Sequence, residues 1–328
     1  MRKSFLGRTG LAISELAFGG GVTGGILINP DEAIRHDALQ RAVAAGINWI
    51  DTAAIYGEGA SEETIGRHLQ ALTPQPHVST KVRLEVEDMG DVAGAIERGL
   101  ERSLRRLQSD SLALFQLHNH LGHGVGERLA LPPEQVLRRG GVADTFARLK
   151  EQGLIRASGM TAAGDTAACL EVINSGRFDA AQVYYNAINP SAAWSRVPPA
   201  WKGQDFSGVI AACFRQNMGV LNIRVWGGGP LASAKRPEQL FMMTTVTDLD
   251  NEVRCAAAVR KVLGDDYGTP AQAALRFVLG NRDLSSRVVG IAALEQLDEA
   301  LEAVRQGPLP TAAISKLDEL WANDFAAG

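Results

Sequence analysis

The chain has 328 residues, 45% of them apolar, enough to bury a large core; by length it fits one barrel-type domain or two ordinary ones equally well, and a single domain spanning 1–328 is the simplest account. A net charge of −4 leaves no basic surplus for nucleic-acid phosphates, which argues against such a partner. No stretch reaches the ~18 consecutive apolar residues of a membrane span, and the start Met1-Arg2-Lys3-Ser4 lacks the apolar run of a secretory signal, so the expectation is a soluble, cytoplasmic protein away from membranes. Cys169, Cys213 and Cys255 are far apart and in no Cys-x-x-Cys or metal-like spacing, which points to a reducing compartment and no bound metal. Oligomeric state leaves no trace in the sequence.

A short hairpin punctuated by glycine, from Arg2 to Gly10 and onward, opens the chain. Strand-like apolar runs then follow at Glu15–Gly19, Ile47–Asp51, His77–Lys81, Leu112–His118, Ile155–Gly159, Ala181–Tyr185, Gly219–Val225 and Arg287–Ile291. Between them lie segments of helical period, such as Val92, Ile96, Leu100, Leu104 and Leu107, whose spacing of four and then three puts them on one face. Gly46, Gly153, Gly176 and Gly219 fall where helix C-caps of positive φ are expected. Alternating strands and helices of this number predict an α/β fold, a closed (β/α)₈ barrel with long loops at the C-terminal face of the strands; a doubly wound open sheet is the alternative. The long connections run from Asn119 to Pro133, Asn186 to Asp205 and Trp226 to Asp250, and loops of this length in a small domain usually carry function.

In such a barrel the active site lies where the strands end. Asp51 ends the second strand, Tyr56 sits just beyond it, Lys81 ends the third and His118 ends the fourth. Taken singly, an Asp there caps a turn, a Tyr or His packs, and a Lys is a solvated rim charge. Together they suit proton transfer at a carbonyl. A phenol exchanges protons poorly at neutral pH, but a neighbouring ammonium favours its ionised form, the part that Lys81 would play for Tyr56. A lysine drawn into a dry pocket needs a counter-charge, which Asp51 would supply. His118 fits either of two roles, orienting the substrate carbonyl or sharing the proton relay.

These residues also carry a family resemblance. The opening Leu6-Gly-Arg-Thr-Gly-Leu11, the run Ala45-Gly-Ile-Asn-Trp-Ile-Asp-Thr-Ala-Ala54 with Tyr56-Gly57, Thr80-Lys81, Leu114-Phe-Gln-Leu-His118 and Gln182 with Tyr185-Asn186 resemble the aldo-keto reductases along nearly the whole chain. The resemblance implies reversible, NAD(P)(H)-dependent interconversion of an aldehyde, ketone or sugar hemiacetal with its alcohol or lactone, the cofactor being bound without a Rossmann domain. It carries the tetrad over as Asp51, Tyr56, Lys81 and His118, with Tyr56 the general acid in reduction. Barrels of this kind also serve as potassium-channel β subunits, so a cofactor-sensing or regulatory binding protein with little turnover is the alternative.

Where the family commonly has Ser-Asn after the fifth strand, this chain has Thr161-Ala162, which leaves Thr161 and Gln182 as the candidates for the nicotinamide carboxamide. After the seventh strand it reads Arg224-Val-Trp-Gly-Gly-Gly-Pro-Leu231, so that Trp226 is the candidate stacking ring, Gly227 to Gly229 offer amides to the pyrophosphate, and Arg224 and Leu231 flank them. Gly20 and Gly21 after the first strand, and Gly290 and Ala292 after the eighth, complete the cofactor set. The adenosine end, Gly290 to Glu299, has no basic residue, and Gln296 stands in an arginine's place, which leans the cofactor toward NAD(H) over NADP(H) unless Arg282 or Arg287 intervenes. Trp49, Asn119 and Trp194 are the candidates for the substrate wall. His120 and His123 are read as loop histidines, since no third ligand follows them at metal spacing.

Overall fold

Eight of the apolar runs close on one another as parallel strands. The structure, a computed structural model, describes residues 1–122, 129–236, 246 and 248–326. The strands are β1 (Lys3–Phe5), β2 (Ala12–Ser14), β3 (Leu16–Gly19), β4 (Trp49–Asp51), β5 (His77–Val82), β6 (Leu112–Leu117), β7 (His120–Leu121), β8 (Ala130–Leu131), β9 (Ile155–Ala162), β10 (Ala180–Tyr184), β11 (Gly219–Ile223) and β12 (Ser286–Gly290). In the closed barrel β3, β4, β5, β6, β9, β10, β11 and β12 are neighbours in that order, and β12 pairs back onto β3. The hairpin is β1 paired antiparallel with β2, and a short β7–β8 ladder stands in the loop after β6. The (β/α)₈ barrel expected from the pattern is therefore the fold.

The helices α1 (Glu32–Ala44), α2 (Ala60–Leu69), α3 (Val92–Leu107), α4 (Pro133–Leu137), α5 (Val142–Glu151), α6 (Thr166–Asn174), α7 (Val209–Arg215), α8 (Leu249–Leu263), α9 (Pro270–Leu279), α10 (Leu294–Gln306) and α11 (Thr311–Ala322) cover the strands. Helix α3 shows why the pattern works. Asp91 caps its first turn by accepting from the amide of Gly94, and Val92, Ile96, Leu100 and Leu107 are buried against the barrel. Each such side chain contributes about 1.5–3 kcal/mol by leaving water.

Gly46, Gly153 and Gly176 do adopt positive φ of 91°, 74° and 69°. Gly219 does not. Asn217 takes the left-handed turn instead, with φ 49°, and Gly219 is needed because a Cβ there would run into Leu6 of the hairpin. That close approach belongs to the floor of the barrel. Leu6, Leu11 and Ile13 insert into its N-terminal opening and pack with Ala17, Trp49, Leu114, Ala157, Ala180 and Leu221.

Asp179 fastens the hairpin to this end. Its carboxylate accepts from Arg8 Nε (3.3 Å), Lys150 Nζ (2.5 Å), and the amide and hydroxyl of Ser158 (2.9 and 3.1 Å). Burial opposes its ionised form, but Lys150 and Ser158 outweigh that and hold the carboxyl below its ordinary 3.8. A carboxylate stabilised in this way contributes fully above its unfolded value and loses its contribution as pH falls through the lower folded one. Asp179→Ala is expected to reduce unfolding free energy by about 2–4 kcal/mol at pH 7, by leaving charged partners unmatched. Urea denaturation at pH 7 and again near pH 3 checks this: the gap should narrow in acid, and equal stability at pH 7 would contradict it.

Candidate active site

A layer of polar side chains sits above the apolar floor, directed at one carboxylate. Lys81, 1% exposed, donates from Nζ to Asp51 Oδ2 and to the Thr52 carbonyl, each at 2.7 Å. The other Asp51 oxygen accepts from Ser79 Oγ (2.7 Å), Gln182 Nε2 (2.9 Å) and Gln116 Nε2 (3.2 Å). Strand register makes this possible: Asp51 pairs with Ser79, Lys81 with Gln116, Gln116 with Gly159 and Gln182 with Thr161. Gly159 has no side chain because a Cβ would stand 2.8 Å from Gln116 Cγ.

Burial alone would push Lys81 toward the neutral amine, but Asp51 and then Tyr56 outweigh it and hold its pKa above the ordinary 10.5. Lys81 is therefore a permanent ammonium at neutral pH. Its Nζ lies 5.0 Å from the centre of the Tyr56 ring, and the Tyr56 and His118 rings meet edge-on, 5.9 Å between centres. Tyr56 is carried on a tight turn in which Gly57 and Glu58 take positive φ of 57° and 56°.

Asp51, Tyr56 and His118 line one cavity of about 470 Å³, with Gly21, Asn119, Thr161, Gln182, Arg224 and Gly290 among its other walls. A second cavity of about 260 Å³ adjoins it and is lined by Trp226, Ala292, Gln296 and Glu299 among others. The two share Thr23, Gly24, Arg224, Val288 and Gly290. Together they form one long cleft across the C-terminal face, a shape suited to an extended dinucleotide. Thr161 Oγ1 is buried at its wall with no hydrogen-bond partner among the described residues. Such an orphaned hydroxyl fits a ligand amide.

Several predicted positions lie elsewhere. Trp49 is fully buried in the floor, its indole N–H donating to Ser79 Oγ at 2.9 Å, because the strand's alternation points it below Asp51. Trp194 packs edge-on against Trp201 and Trp321, sealing the loop after β10 onto α11 and not lining the cavity. Asn119 reaches the cavity wall, but its amide bonds Leu84 at both main-chain groups (2.8 Å each) and the Leu129 carbonyl (3.2 Å), so it positions backbone.

On the cofactor side, Gly20 is buried, donates to the Asp51 carbonyl at 2.8 Å, and has room only for hydrogen because Ser61 Oγ fills the space. Leu231 is core, its amide turned back to the Trp226 carbonyl. Trp226 is held by Ala271 at 2.9 Å and lines the second cavity, while the first is walled on that strand by Ile223. Ala162 turns outward into the apolar layer between barrel and helices. Arg287 is buried and donates to the Val278 and Leu284 carbonyls, and neither it nor Arg282 lines the cleft. His123 lies outside the described residues.

Sequence reasoning did not find Ser79, Gln116, Ile223 or Arg83 as wall or support. Gln116 carried a signal, as an amide inside the apolar run Leu112–Leu117. All three cysteines are buried free thiols, each pushed up to about 12 chiefly by burial. No cluster of metal-ligand type occurs among the described residues, nor any helix long and apolar enough to cross a membrane.

A closed barrel with a buried Asp–Lys pair beneath a tyrosine and a histidine defines the class. Residues 15–322 match the model of the Aldo/keto reductase family, and the chain belongs to that family of oxidoreductases acting on carbonyl compounds. It is 26% identical to the L-galactose dehydrogenase of Arabidopsis thaliana over 309 residues, covering 92% of this chain and 87% of that one. A probable voltage-gated potassium channel subunit beta of the same plant is 25% identical over 323 residues, covering 95% and 93%. Among solved structures, an aldo-keto reductase from Bacillus halodurans in its holo form superposes with a TM-score of 0.73 at 21% identity, covering 98% of this chain and 97% of that one, a likeness of fold.

The ion pair invites a stability test. Lys81→Met leaves Asp51 buried without its cation and is expected to cost about 3–5 kcal/mol, whereas the double change with Asp51→Asn should cost less than the two single changes added. Urea titration of the four proteins measures the coupling, and strict additivity would mean that the pair has no mutual interaction.

Proposed function

We propose that this protein is a nicotinamide-dependent oxidoreductase that interconverts an aldehyde, ketone or sugar hemiacetal with the corresponding alcohol or lactone. One observation carries the reading: the Tyr56 phenol stands at the cleft wall above an ammonium that is buried, charged and paired. When bound, the cofactor supplies or accepts the hydride. Tyr56 gives the proton to the substrate oxygen in reduction and removes it in oxidation. The Lys81 ammonium stands 5.0 Å from the centre of the Tyr56 ring, and Asp51 keeps Lys81 charged. His118, edge-on to the Tyr56 ring, directs the carbonyl toward the phenol. The carboxamide of the cofactor has Thr161 Oγ1 and Gln182 as partners, with the Gln182 amide nitrogen already oriented by Asp51. Arg224, shared by both cavities, suits the pyrophosphate. The likeness to an L-galactose dehydrogenase supports including sugars among the substrates.

Tyr56→Phe is expected to reduce turnover by about a hundred- to ten-thousandfold, the usual contribution of a general acid, while leaving cofactor binding in place. A panel of carbonyls and sugars assayed by absorbance of the reduced cofactor measures it. Substantial turnover by Tyr56→Phe would remove Tyr56 from the mechanism. Tight cofactor binding with no turnover by the unmodified protein would favour the regulatory reading.

The cofactor is read as NAD(H) in preference to NADP(H). Among the described residues, the charged side chains lining the second cavity are Arg224 and Glu299, and Gln296 is engaged by the Ala292 amide at 2.7 Å. A carboxylate repels a 2′-phosphate and accepts from a free ribose hydroxyl. NADH should serve at least as well as NADPH in initial rates at low cofactor; a hundredfold advantage for NADPH would overturn this.

A further inference from the structure

Among the described residues, the ionisable ones lining the first cavity are Asp51, Tyr56, Arg83, His118, His120 and Arg224. Asp51 is the sole carboxylate among them, and Lys81 neutralises it at 2.7 Å. Two guanidinium groups, those of Arg83 and Arg224, line the same space.

Arg224 is shared with the second cavity, where a dinucleotide spanning both would pass from one to the other. Arg83 belongs to the first cavity alone. It lies two residues beyond Lys81, and the backbone on both sides of it is pinned: the Val82 carbonyl accepts from the His118 amide at 2.8 Å, and the Asn119 side chain holds both main-chain groups of Leu84. The arginine is presented from a fixed platform. Its Nε and Nη2 meet one oxygen of Glu85 at 2.8 and 2.7 Å, while Nη1 donates no hydrogen bond among the described residues. Glu85 is half exposed and does not line the cavity, so it steadies one edge of the fork and leaves the end of it available.

His120, which also lines the cavity, stands two residues beyond His118 on the neighbouring wall. Val22, Ile55 and Leu129 also line the cavity, the first two 39% and 41% exposed. A carbonyl compound held against Tyr56 and His118 thus shares the cavity with these apolar side chains and with Arg83.

We propose that Arg83 is a specificity residue that anchors an oxyanion, a carboxylate or phosphate, on the substrate, so that the preferred substrates are acidic aldehydes, ketones or sugars. This rests on the oxidoreductase reading above. Charge-assisted hydrogen bonds to such a group are strong enough for about a ten- to hundredfold preference over a neutral analogue.

The test compares kcat/KM with NADH for 4-formylbenzoate against 4-methylbenzaldehyde, and for glyceraldehyde 3-phosphate against glyceraldehyde, in the unmodified protein, Arg83→Gln and Arg83→Lys. The expected result is a tenfold or larger preference for one charged member, lost in Arg83→Gln chiefly through KM and partly kept in Arg83→Lys. Whichever pair shows it identifies carboxylate or phosphate. Equal use of charged and neutral members, with good turnover, overturns the anchor and leaves the oxidoreductase reading standing. If nothing turns over, calorimetric titration of the protein with NADH separates the two. Binding of 4-formylbenzoate or glyceraldehyde 3-phosphate that Arg83→Gln abolishes supports the anchor while the oxidoreductase reading fails, and binding no tighter than that of the neutral analogues overturns it.

Discussion

A charged lysine inside an apolar barrel is the constraint around which this end of the fold is arranged. Without a partner, burial would drive Lys81 neutral, and a neutral amine would do nothing for a phenol. The chain answers with Asp51 at 2.7 Å and then supports Asp51 in turn with Ser79, Gln182 and Gln116. Each of these donors comes from a different strand, so the carboxylate is fixed only if the barrel closes in the right register. Folding and the electrostatics of the site are thus one problem: slipping a strand by one residue would turn its donor out of the barrel.

The two ends of the barrel divide the work. The hairpin plugs the N-terminal opening with Leu6, Leu11 and Ile13, and the layer above it, including Trp49, is apolar. Because the floor is dry, the polar layer over it cannot be satisfied by water from below and must be satisfied by its own members. Trp49 joins the layers, giving its ring to the floor and its N–H to Ser79, the residue that donates to Asp51. The tryptophan next to the signature aspartate is therefore a support two bonds removed from the chemistry.

Much of this was legible in the sequence, and for identifiable reasons. Eight apolar runs separated by helical periods have few ways to pack, and strand-ending polar residues have one end of the barrel to meet at. Asp51, Tyr56, Lys81 and His118 were readable because strand ends are marked by the change from apolar to polar. What failed was side-chain direction in irregular segments. Trp194 sits in a loop where no period says which way a ring points, and it packs on α11. Gly219 misled for a related reason, since close approach by a distant hairpin and a positive φ both select glycine and local sequence does not separate them. Gln116 was hidden because an amide in a buried strand reads as an exception until the carboxylate it serves is known.

The charges along the cleft change sign with position. Glu299 marks one end, Arg224 the middle and Arg83 the other end, with the compensated Asp51–Lys81 pair below. On the proposed reading, a dinucleotide without a 2′-phosphate, whose negative charge sits at the pyrophosphate in the middle of its length, would meet a cation at the centre of the cleft and a carboxylate at its adenosine end. If that match absorbs Arg224, the field of Arg83 is left for whatever enters beside Tyr56. Cofactor choice and substrate charge are then two consequences of one distribution of side chains, set by which strand ends carry cations.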